Sequence, residues 1–374
     1  MNDKLRITTI LGTRPEIIRL SSIIKKFDHY FSHRVIHTGQ NSQPELSTVF
    51  YEDLDLREPD LYLGLNVNSL GTFLGELYPA LENEFLANRP NAIVILGDTN
   101  SALVSILAKR MKIPVYHLEA GNRSFDANVP EEINRKVIDH SSDFNLCYTR
   151  HAASNLEKEG VDSRYISVIG SPLCEVINSI SPKVKLSKVI QNLKLIPNNY
   201  FLVSLHRQEN IDSEARLNQV IACLNSLVSE FHLPVIVSAH PRLTSKISNL
   251  KQAIHPSIQL LKPFGFADFL HLQISSKLVI SDSGSISEEA AISGFRAVTL
   301  RDSMERPEAL EAGTIIMTST EVTHFMHAVR IALDSPKSLE VPHEYLIPDT
   351  STRVVNFLIS TIGQYEFWNG IRNP

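Results

Sequence analysis

The sequence predicts an α/β protein with two domains, each built around a doubly wound parallel sheet. Its 374 residues exceed the size at which a single hydrophobic core normally stops growing. Apolar, strand-like runs alternate with helical stretches in both halves of the chain, which is the order that produces parallel sheets. A composition of 43% hydrophobic and 21% charged residues is typical of a packed fold.

Five apolar runs in the first half predict the strands of the first sheet. Segments 15–27 and 101–111 between them carry apolar residues at helical spacing, so we expect crossover helices there. The predicted strands are 7–11, 35–38, 92–96, 115–118 and 144–148.

The second half repeats this alternation and predicts a second sheet. Its strands are expected at 200–205, 235–239, 258–261, 278–281 and 297–300. Gly170-Ser171-Pro172 closes the first pattern, and a polar stretch follows before the next strand. We therefore expect domains of 1–172 and 173–355. The final segment, from Thr352 to Trp368, is expected to be helical.

Charge and composition narrow the possible partners and locations. The net charge of -5 gives no basic excess to neutralise nucleic acid. No apolar run approaches the roughly 20 residues that span a bilayer, and no signal-peptide segment precedes the first strand. We expect a cytoplasmic protein with neither a nucleic-acid nor a membrane partner. Cys147, Cys174 and Cys223 lie too far apart for a metal motif and are expected to be buried thiols.

Polar residues follow the predicted strands of the first half, where ligands of open parallel sheets bind. Arg14 stands beside Pro15 at a predicted helix start, where it could hold a phosphate or simply cap its own loop. Asp98 follows strand 92–96 and could act as a base or only as a helix N-cap. Glu119 occupies the next loop, with Gly121 permitting close backbone approach.

A further carboxylate opens the helix that follows. Glu131 and Arg135 are one turn apart, so they could belong to a site or form an exposed ion pair. Gathering Asp98, Glu119 and Glu131 is electrostatically costly because like charges repel. General acid and base catalysis is a reason to gather them, since such groups contribute roughly 10² to 10⁴ in rate.

Histidines follow two strands of the second half. His206 comes directly after strand 200–205, beside other polar residues, and His240 holds the same place after strand 235–239. A lone histidine is usually structural, but its position at a strand's carboxyl end favours a functional role for His206 and, less strongly, for His240.

An anion cradle is predicted after strand 278–281. Backbone N–H groups and the hydroxyls of Ser283 and Ser285 could hold a diphosphate, with Glu288 or Glu289 able to reach ribose hydroxyls. The alternative is an ordinary helix N-cap with first-turn glutamates. Arg301 and Arg306 follow the next strand and add cationic partners for phosphate.

Several common nucleotide and metal motifs are missing from the sequence. No Gly-x-Gly-x-x-Gly follows a strand, and no Walker-type Gly-Lys-Ser/Thr loop occurs, which removes support for nicotinamide and P-loop chemistry. Closely spaced His or Cys ligands are also lacking. We expect neither a cofactor nor a metal.

Seven short motifs, in this order, resemble those of the non-hydrolysing UDP-N-acetylglucosamine 2-epimerases. The match spans nearly the whole chain, and the order makes it specific although each motif is short. The motifs occupy 12–16, 97–99, 119–121, 130–135, 206–210, 282–284 and 305–308.

The resemblance implies a fold and a reaction. The fold would be two Rossmann-like domains facing a cleft, similar to glycosyltransferases of the two-domain GT-B type, with a C-terminal helix at about 356–374 returning to the first domain. The reaction would be epimerisation at carbon 2 of a UDP-linked 2-acetamido sugar, by elimination of UDP to a glycal and re-addition. A homodimer is the family's expected assembly.

The resemblance also implies residue roles. The family's catalytic set is similar to Asp98, Glu119, Glu131 and His206, with His206 near the leaving diphosphate. Positions implied to bind the UDP-sugar substrate are Arg14, Arg19, Arg135, His240, Ser283, Gly284, Ser285, Glu289 and Arg306.

Departures from the common pattern point to one branch of the family. Arg19 replaces a lysine, Asn122 replaces a leucine, and Ser285 replaces a glycine. The variants around Arg19 and Asn122 resemble the branch that makes UDP-N-acetyl-L-fucosamine from its L-talo epimer for surface polysaccharide. Asn41 replaces a histidine of the regulated epimerases, which argues against activation at a second UDP-sugar site.

Three alternatives remain open from the sequence. The chain could be a UDP-N-acetylglucosamine 2-epimerase that makes UDP-N-acetylmannosamine. It could be a glycosyltransferase, which would need an acceptor site instead of clustered carboxylates. A catalytically silent UDP-sugar sensor is the third, and Asp98, Glu119, Glu131 and His206 argue against it.

Overall fold

The computed structural model describes residues 4–40, 50–205, 207–239, 241–248, 250, 253–335 and 340–372. The chain divides into two compact units, one of Met1–Ser179 with His343–Pro374 and the other of Ile180–Pro342. These bounds differ from the 1–172 and 173–355 expected from the sequence, because the first unit extends into the helix Leu173–Leu186 as far as Ser179 and also includes the residues from His343 onward.

The first unit contains a seven-stranded parallel sheet in the order β3-β2-β1-β4-β5-β6-β7. The order reverses between β1 and β4, and this reversal marks the ligand-binding edge of doubly wound folds. The strands are β1 Arg6–Leu11, β2 Ser32–His37, β3 Leu61–Tyr62, β4 Ala92–Leu96, β5 Val115–Leu118, β6 Phe144–Cys147 and β7 Ile166–Val168.

Helices connect and cover these strands. Pro15 occupies the first turn of α1, where its missing N–H is not needed, and Ile17, Leu20, Ile24 and Phe27 form the buried stripe of that helix. The helices of this unit are α1 Arg14–Tyr30, α2 Leu70–Ala87, α3 Val104–Arg110, α4 Pro130–Ser141 and α5 Arg150–Lys158, with 3₁₀ turns at Asn100–Leu103 and Ser163–Tyr165. Helix α6 Leu173–Leu186 begins in this unit and ends in the second.

The segment after residue 342 belongs to the first unit. It comprises a 3₁₀ turn at His343–Tyr345 and two further helices, Thr350–Ile362 and Tyr365–Trp368. The Tyr116 hydroxyl is 2.8 Å from the Thr361 hydroxyl, and the Tyr165 hydroxyl donates to the Trp368 carbonyl at 2.9 Å. This segment is therefore tied to the sheet by side chains of β5 and of the turn before β7.

The second unit contains a six-stranded parallel sheet in the order β10-β9-β8-β11-β12-β13. Its apolar strands lie in one continuous core with the helices Glu214–Phe231 and Val322–Asp334. The strands are β8 Phe201–Ser204, β9 Val235–Ser238, β10 Ile258–Leu261, β11 Leu278–Ser281, β12 Ala297–Leu300 and β13 Ile316–Thr318.

The helices of the second unit follow the same winding pattern as those of the first. They are α7 Val189–Asn192, α8 Gln208–Ile211, α9 Glu214–Phe231, α10 Pro241–Ser248, α11 Phe266–Ser275, α12 Ile286–Ser293, α13 Pro307–Glu311 and α14 Val322–Asp334. In chain order, α15 Thr350–Ile362 and α16 Tyr365–Trp368 complete the set in the first unit.

The predicted α/β class with two Rossmann-like sheets is confirmed, since both sheets are parallel and share one strand order. Cys147, Cys174 and Cys223 are buried free thiols, as predicted. Within the described ranges, none of the helices combines the length and apolar character needed to cross a membrane.

Candidate functional site

A buried glutamate joins two loops at the carboxyl edge of the first sheet. Glu16, in the first turn of α1, accepts hydrogen bonds at Oε2 from the Gly12 N–H at 3.0 Å and the Thr13 hydroxyl at 2.8 Å. Its Oε1 accepts from the Thr99 hydroxyl at 3.0 Å. Glu16 thus connects the loop that carries Arg14 to the loop that carries Asp98.

Burial dominates the acidity of Glu16. The side chain is 1% exposed, and burial raises its pKa from 4.5 to about 7, against the lowering effect of its hydrogen bonds. Folded protein therefore binds this proton more tightly than unfolded protein, and the stability linked to Glu16 decreases as pH rises from 4.5 to 7.

Glu16→Gln is expected to remove this pH dependence. Between pH 5 and pH 8, the unfolding free energy of the wild type should fall relative to that of the variant by about 2 to 3 kcal/mol. Urea denaturation of both proteins at four pH values measures the difference. A difference between the two proteins that stays constant with pH would contradict an ionisation of Glu16 in this range.

Arg135 orients Asp98. Its Nη2 donates to Asp98 Oδ2 at 2.5 Å, and its Nη1 donates to Glu132 Oε2 at 3.3 Å. The Asn134 amide donates to the Asp98 carbonyl at 3.0 Å. The Asp98 side chain keeps 23% of its surface exposed while Arg135 keeps 6%, so a fixed carboxylate faces accessible space.

Two adjacent glutamates at the start of α4 have different environments. Glu131 is exposed, whereas Glu132 is buried and accepts hydrogen bonds from the Ser124 N–H at 2.8 Å and the Ser124 hydroxyl at 2.9 Å. The sequence pattern paired Glu131 with Arg135, but Glu132 supplies an i,i+3 carboxylate to Arg135 because it lies on the same helix face. Glu131 stays available to solvent in this unit.

Glu119 lies in a backbone conformation that few non-glycine residues adopt, with φ of +64°. Its Oε2 lies 3.6 Å from Arg19 Nε, and its Oε1 accepts from the Asn122 amide at 3.5 Å. The Arg19 guanidinium also lies over the Tyr148 ring, 5.5 Å from its centroid. Backbone strain of this kind concentrates at functional sites.

Arg14 begins α1 at the same edge, with its guanidinium carbon 5.3 Å from the centroid of the Phe50 ring. The first unit therefore gathers the sequence-predicted residues Arg14, Arg19, Asp98, Glu119 and Arg135 on the loops and helix starts after β1, β4 and β5. Carboxylates with fixed orientations and partial exposure are suited to moving protons.

Asp282 holds together two loops of the second unit. It is fully buried and accepts hydrogen bonds from the Arg207 N–H at 3.1 Å and the Asn210 amide at 3.0 Å. The loop after β8 is thereby fixed to the loop after β11. His206 and His240, both predicted as site residues, lie outside the described residues.

The predicted cradle residues form a hydrogen-bonded chain at the start of α12. The Ser283 and Ser285 hydroxyl oxygens are 2.9 Å apart, and the Ser285 hydroxyl donates to Glu289 Oε1 at 2.7 Å. The Gln273 amide donates to the other Glu289 oxygen at 2.6 Å. A Cβ on Gly284 would lie 2.5 Å from Glu305 Oε1, so a larger residue here would displace the Glu305 side chain.

Buried arginines adjoin this loop. Arg306 Nε lies 2.7 Å from Glu288 Oε1, and its Nη1 lies 3.3 Å from Glu305 Oε1. Arg207 and Arg301 also contact Glu305. Three guanidinium groups thus share two carboxylates, and burial lowers the pKa of Arg301. Guanidinium groups gathered beside a helix N-terminus are suited to holding an anion.

Sequence comparisons relate the chain to known enzymes. The profile of a family described as UDP-N-acetylglucosamine 2-epimerase matches residues 25–359. The chain is 32% identical to the UDP-N-acetylglucosamine 2-epimerase of Methanocaldococcus jannaschii, covering 96% of this chain and 100% of that protein. It is 31% identical to the UDP-2,3-diacetamido-2,3-dideoxy-D-glucuronate 2-epimerase of Pseudomonas aeruginosa, covering 88% and 92%.

Solved structures show the same relationship. A UDP-N-acetylglucosamine 2-epimerase from Rickettsia bellii superposes with a TM-score of 0.91 at 34% identity, over 97% of this chain and 98% of that chain. The M. jannaschii enzyme in complex with UDP-GlcNAc and UDP gives 0.89 at 32% identity, over 95% and 100%. The glycotransferase of kitacinnamycin, at 11% identity and 0.56 over 99% and 100%, is similar in fold alone.

Proposed function

The chain belongs to the UDP-N-acetylglucosamine 2-epimerase family and is a UDP-sugar 2-epimerase, and from this premise we propose its substrate. We propose that it converts UDP-2-acetamido-2,6-dideoxy-L-talose to UDP-N-acetyl-L-fucosamine for surface polysaccharide. The enzyme would work in the cytoplasm as a homodimer, which is the assembly expected for the family.

The observation that carries this substrate proposal is a convergence on Glu119. Arg19 and Asn122 are the two positions at which the chain departs from the common epimerase pattern toward the L-fucosamine branch. Arg19 Nε lies 3.6 Å from Glu119 Oε2, and the Asn122 amide donates to Glu119 Oε1 at 3.5 Å. Both departures therefore contact one candidate catalytic carboxylate. This supports a substrate whose sugar differs from that of the common epimerases.

The proposed reaction breaks and remakes two bonds. A carboxylate removes the carbon 2 proton while the bond from carbon 1 to the diphosphate oxygen breaks, giving a glycal and UDP. A proton then returns to carbon 2 on the opposite face, and the diphosphate oxygen adds again at carbon 1. Asp98, Glu119 and Glu131 are the proposed acids and bases, and His206 is proposed to act near the leaving diphosphate.

The charges of the second unit suit the eliminated product. A diphosphate leaves as an anion, and charge-assisted hydrogen bonds to such groups contribute on the order of 1.5 to 3 kcal/mol each. Arg306, Ser283 and Ser285 are proposed to hold the phosphates, with Glu289 on the ribose and His240 on the substrate. If UDP stays bound between elimination and re-addition, it remains next to the glycal, and the same UDP adds back at carbon 1.

A second candidate substrate is UDP-N-acetylglucosamine, with UDP-N-acetylmannosamine as product. The names of the M. jannaschii and R. bellii enzymes favour it, and so does the M. jannaschii complex with UDP-GlcNAc. The chemistry at carbon 2 would be the same, so the two substrates are separated by recognition of the sugar alone.

Deuterium exchange should separate the two substrates. Proton NMR of the enzyme in deuterated water, without acceptor, is run with the L-talo sugar nucleotide in one tube and UDP-N-acetylglucosamine in another. We expect deuterium at carbon 2 only in the L-talo sample, accompanied by an L-fuco product. Exchange only in the glucosamine sample would establish the second candidate, and no exchange in either would favour a transferase or a sensor.

A further inference from the structure

A cluster of three buried charged or polar side chains lies behind the loops of the first unit. This cluster, which we call the Asp139 cluster, consists of His117, Arg123 and Asp139, with exposures of 1%, 2% and 1%. Arg123 Nη1 donates to Asp139 Oδ2 at 2.7 Å, and His117 Nδ1 lies 2.9 Å from Asp139 Oδ1. Burying such charges is costly unless they are paired, as Arg123 and Asp139 are here.

The cluster contacts the backbone of two loops. Both oxygens of the Asp139 carboxylate accept from the Gly121 N–H at 3.2 Å, two residues after Glu119. The other ring nitrogen of His117 lies 2.8 Å from the Gly97 carbonyl oxygen, one residue before Asp98. One buried unit therefore sets the backbone position beside both carboxylates.

The loop after β5 needs such support because its backbone is unusual. Glu119 and Gly121 both have positive φ, at +64° and +81°. A Cβ on Gly121 would lie 2.2 Å from the Ala152 carbonyl oxygen, so the loop runs directly against α5. The Asn155 amide donates to the Gly121 carbonyl at 3.0 Å, and Asp139 accepts from the Gly121 N–H. Both backbone polar groups of Gly121 are therefore bound by side chains.

Helix α4 combines these contacts on one face. Glu131, Arg135 and Asp139 are spaced four residues apart, so they follow one another along the helix. Arg135 holds the Asp98 side chain, while Asp139 holds the Gly121 backbone and contacts His117. The helix that carries Glu131 thus also determines the geometry of Asp98 and Glu119.

We propose that Asp139 is a positioning residue for catalysis, which holds the backbones beside Asp98 and Glu119 in their reactive arrangement through Gly121 and His117. This proposal rests on the proposed function, in which Asp98 and Glu119 move the carbon 2 proton. Asp139 itself acts only through other residues. Misplacing a catalytic group by about 1 Å can cost on the order of 10²-fold in rate.

Asp139→Asn tests the proposal against a matched control, Asp143→Asn. Asp143 is also buried, at 3% exposure, and it accepts from the Val115 N–H at 3.0 Å and from Lys109 at 2.8 Å. It binds the opposite end of β5, away from Glu119. Both variants lose a buried carboxylate, so both should lower the melting temperature.

The two variants should differ in kcat. We calculate kcat per UDP-binding site, and the number of these sites is measured by calorimetric titration with UDP. We expect Asp139→Asn to lower kcat about 30- to 100-fold with KM within threefold, and Asp143→Asn to keep kcat within threefold. Equal kcat in both variants would overturn the proposal, because a purely structural role predicts the same result for each.

His117→Gln provides a second variant if Asp139→Asn does not fold. It breaks the connection between Asp139 and Gly97, so kcat per UDP site should fall at least tenfold, and wild-type kcat would overturn the proposal. Glu119→Gln distinguishes the two levels of inference. If Glu119→Gln is inactive and Asp139→Asn is fully active, the positioning role of Asp139 is rejected but the catalytic role of Glu119 is not. If Glu119→Gln is active, the catalytic role proposed for Glu119 is rejected.

Discussion

Replacing Glu119 by glutamine is expected to reduce turnover by about 10²- to 10⁴-fold while changing UDP affinity little. The substitution keeps the size of the side chain and its contact with Asn122 but removes the group that accepts or returns a proton. Asp98→Asn should behave in the same way, since Arg135 orients that carboxylate toward accessible space. Neither residue belongs to the buried arginine cluster of the second unit.

The measurement is deuterium exchange at carbon 2 together with UDP binding by calorimetry. Glu82→Gln is a suitable control, because Glu82 is an exposed residue of α2 in the same unit. It should retain wild-type turnover. Near-normal turnover in both Glu119→Gln and Asp98→Asn would show that the carbon 2 proton moves elsewhere.

Arg306→Ala is expected to raise the dissociation constant for UDP about 10- to 100-fold. One charge-assisted hydrogen bond is worth on the order of 1.5 to 3 kcal/mol, and each 1.36 kcal/mol corresponds to a tenfold change. Arg306 is 4% exposed and lies beside Glu288 and Glu305. These contacts orient its planar guanidinium group next to the Ser283 loop.

Loss of a buried partner for Glu288 could also destabilise the unit, so a second variant is needed. Arg306→Lys keeps the charge but loses the planar fork, and it should weaken UDP binding by an intermediate amount. Arg330→Ala is the control, because Arg330 forms an exposed ion pair with Glu230 on α9. An unchanged UDP dissociation constant in folded Arg306→Ala protein would contradict the assigned role.

Much of the fold could be predicted from the order of apolar runs. Strands 92–96, 115–118, 258–261, 278–281 and 297–300 coincide with the observed strands. Apart from the edge strand 258–261, these strands are buried and central in parallel sheets, so their sequences are continuous apolar runs bounded by polar loops. The helix Leu173–Leu186 was missed because Pro182 lies inside it, and proline usually marks a helix end.

Three strands, β3, β7 and β13, were not predicted, and all three lie at sheet edges. They contain only two or three residues each, and they are only partly buried. Such segments pair because a neighbouring strand offers free hydrogen-bonding groups, not because of their own pattern. Local sequence carries little of that information.

Candidate residues that follow strand ends could be predicted, whereas two buried carboxylates within helices were missed. Asp98 and Glu119 follow strands of the first sheet and the Ser283 loop follows a strand of the second, so their positions at the carboxyl edges of their own sheets could be expected. Glu16 and Asp139 were missed because both lie inside helices, where an acidic residue usually faces solvent. Spacing of four residues from Glu131 through Arg135 to Asp139 was the available signal.

The division of the chain has a consequence for biosynthesis. The first unit includes residues on both sides of the second, whereas the second is one continuous segment, Ile180–Pro342. During translation the ribosome therefore releases all of the second unit before the helices that close the first. The packing of the first sheet therefore stays incomplete until the helices α15 and α16 emerge and dock. Until then, the surfaces of Tyr116 and Tyr165 that these helices contact are uncovered.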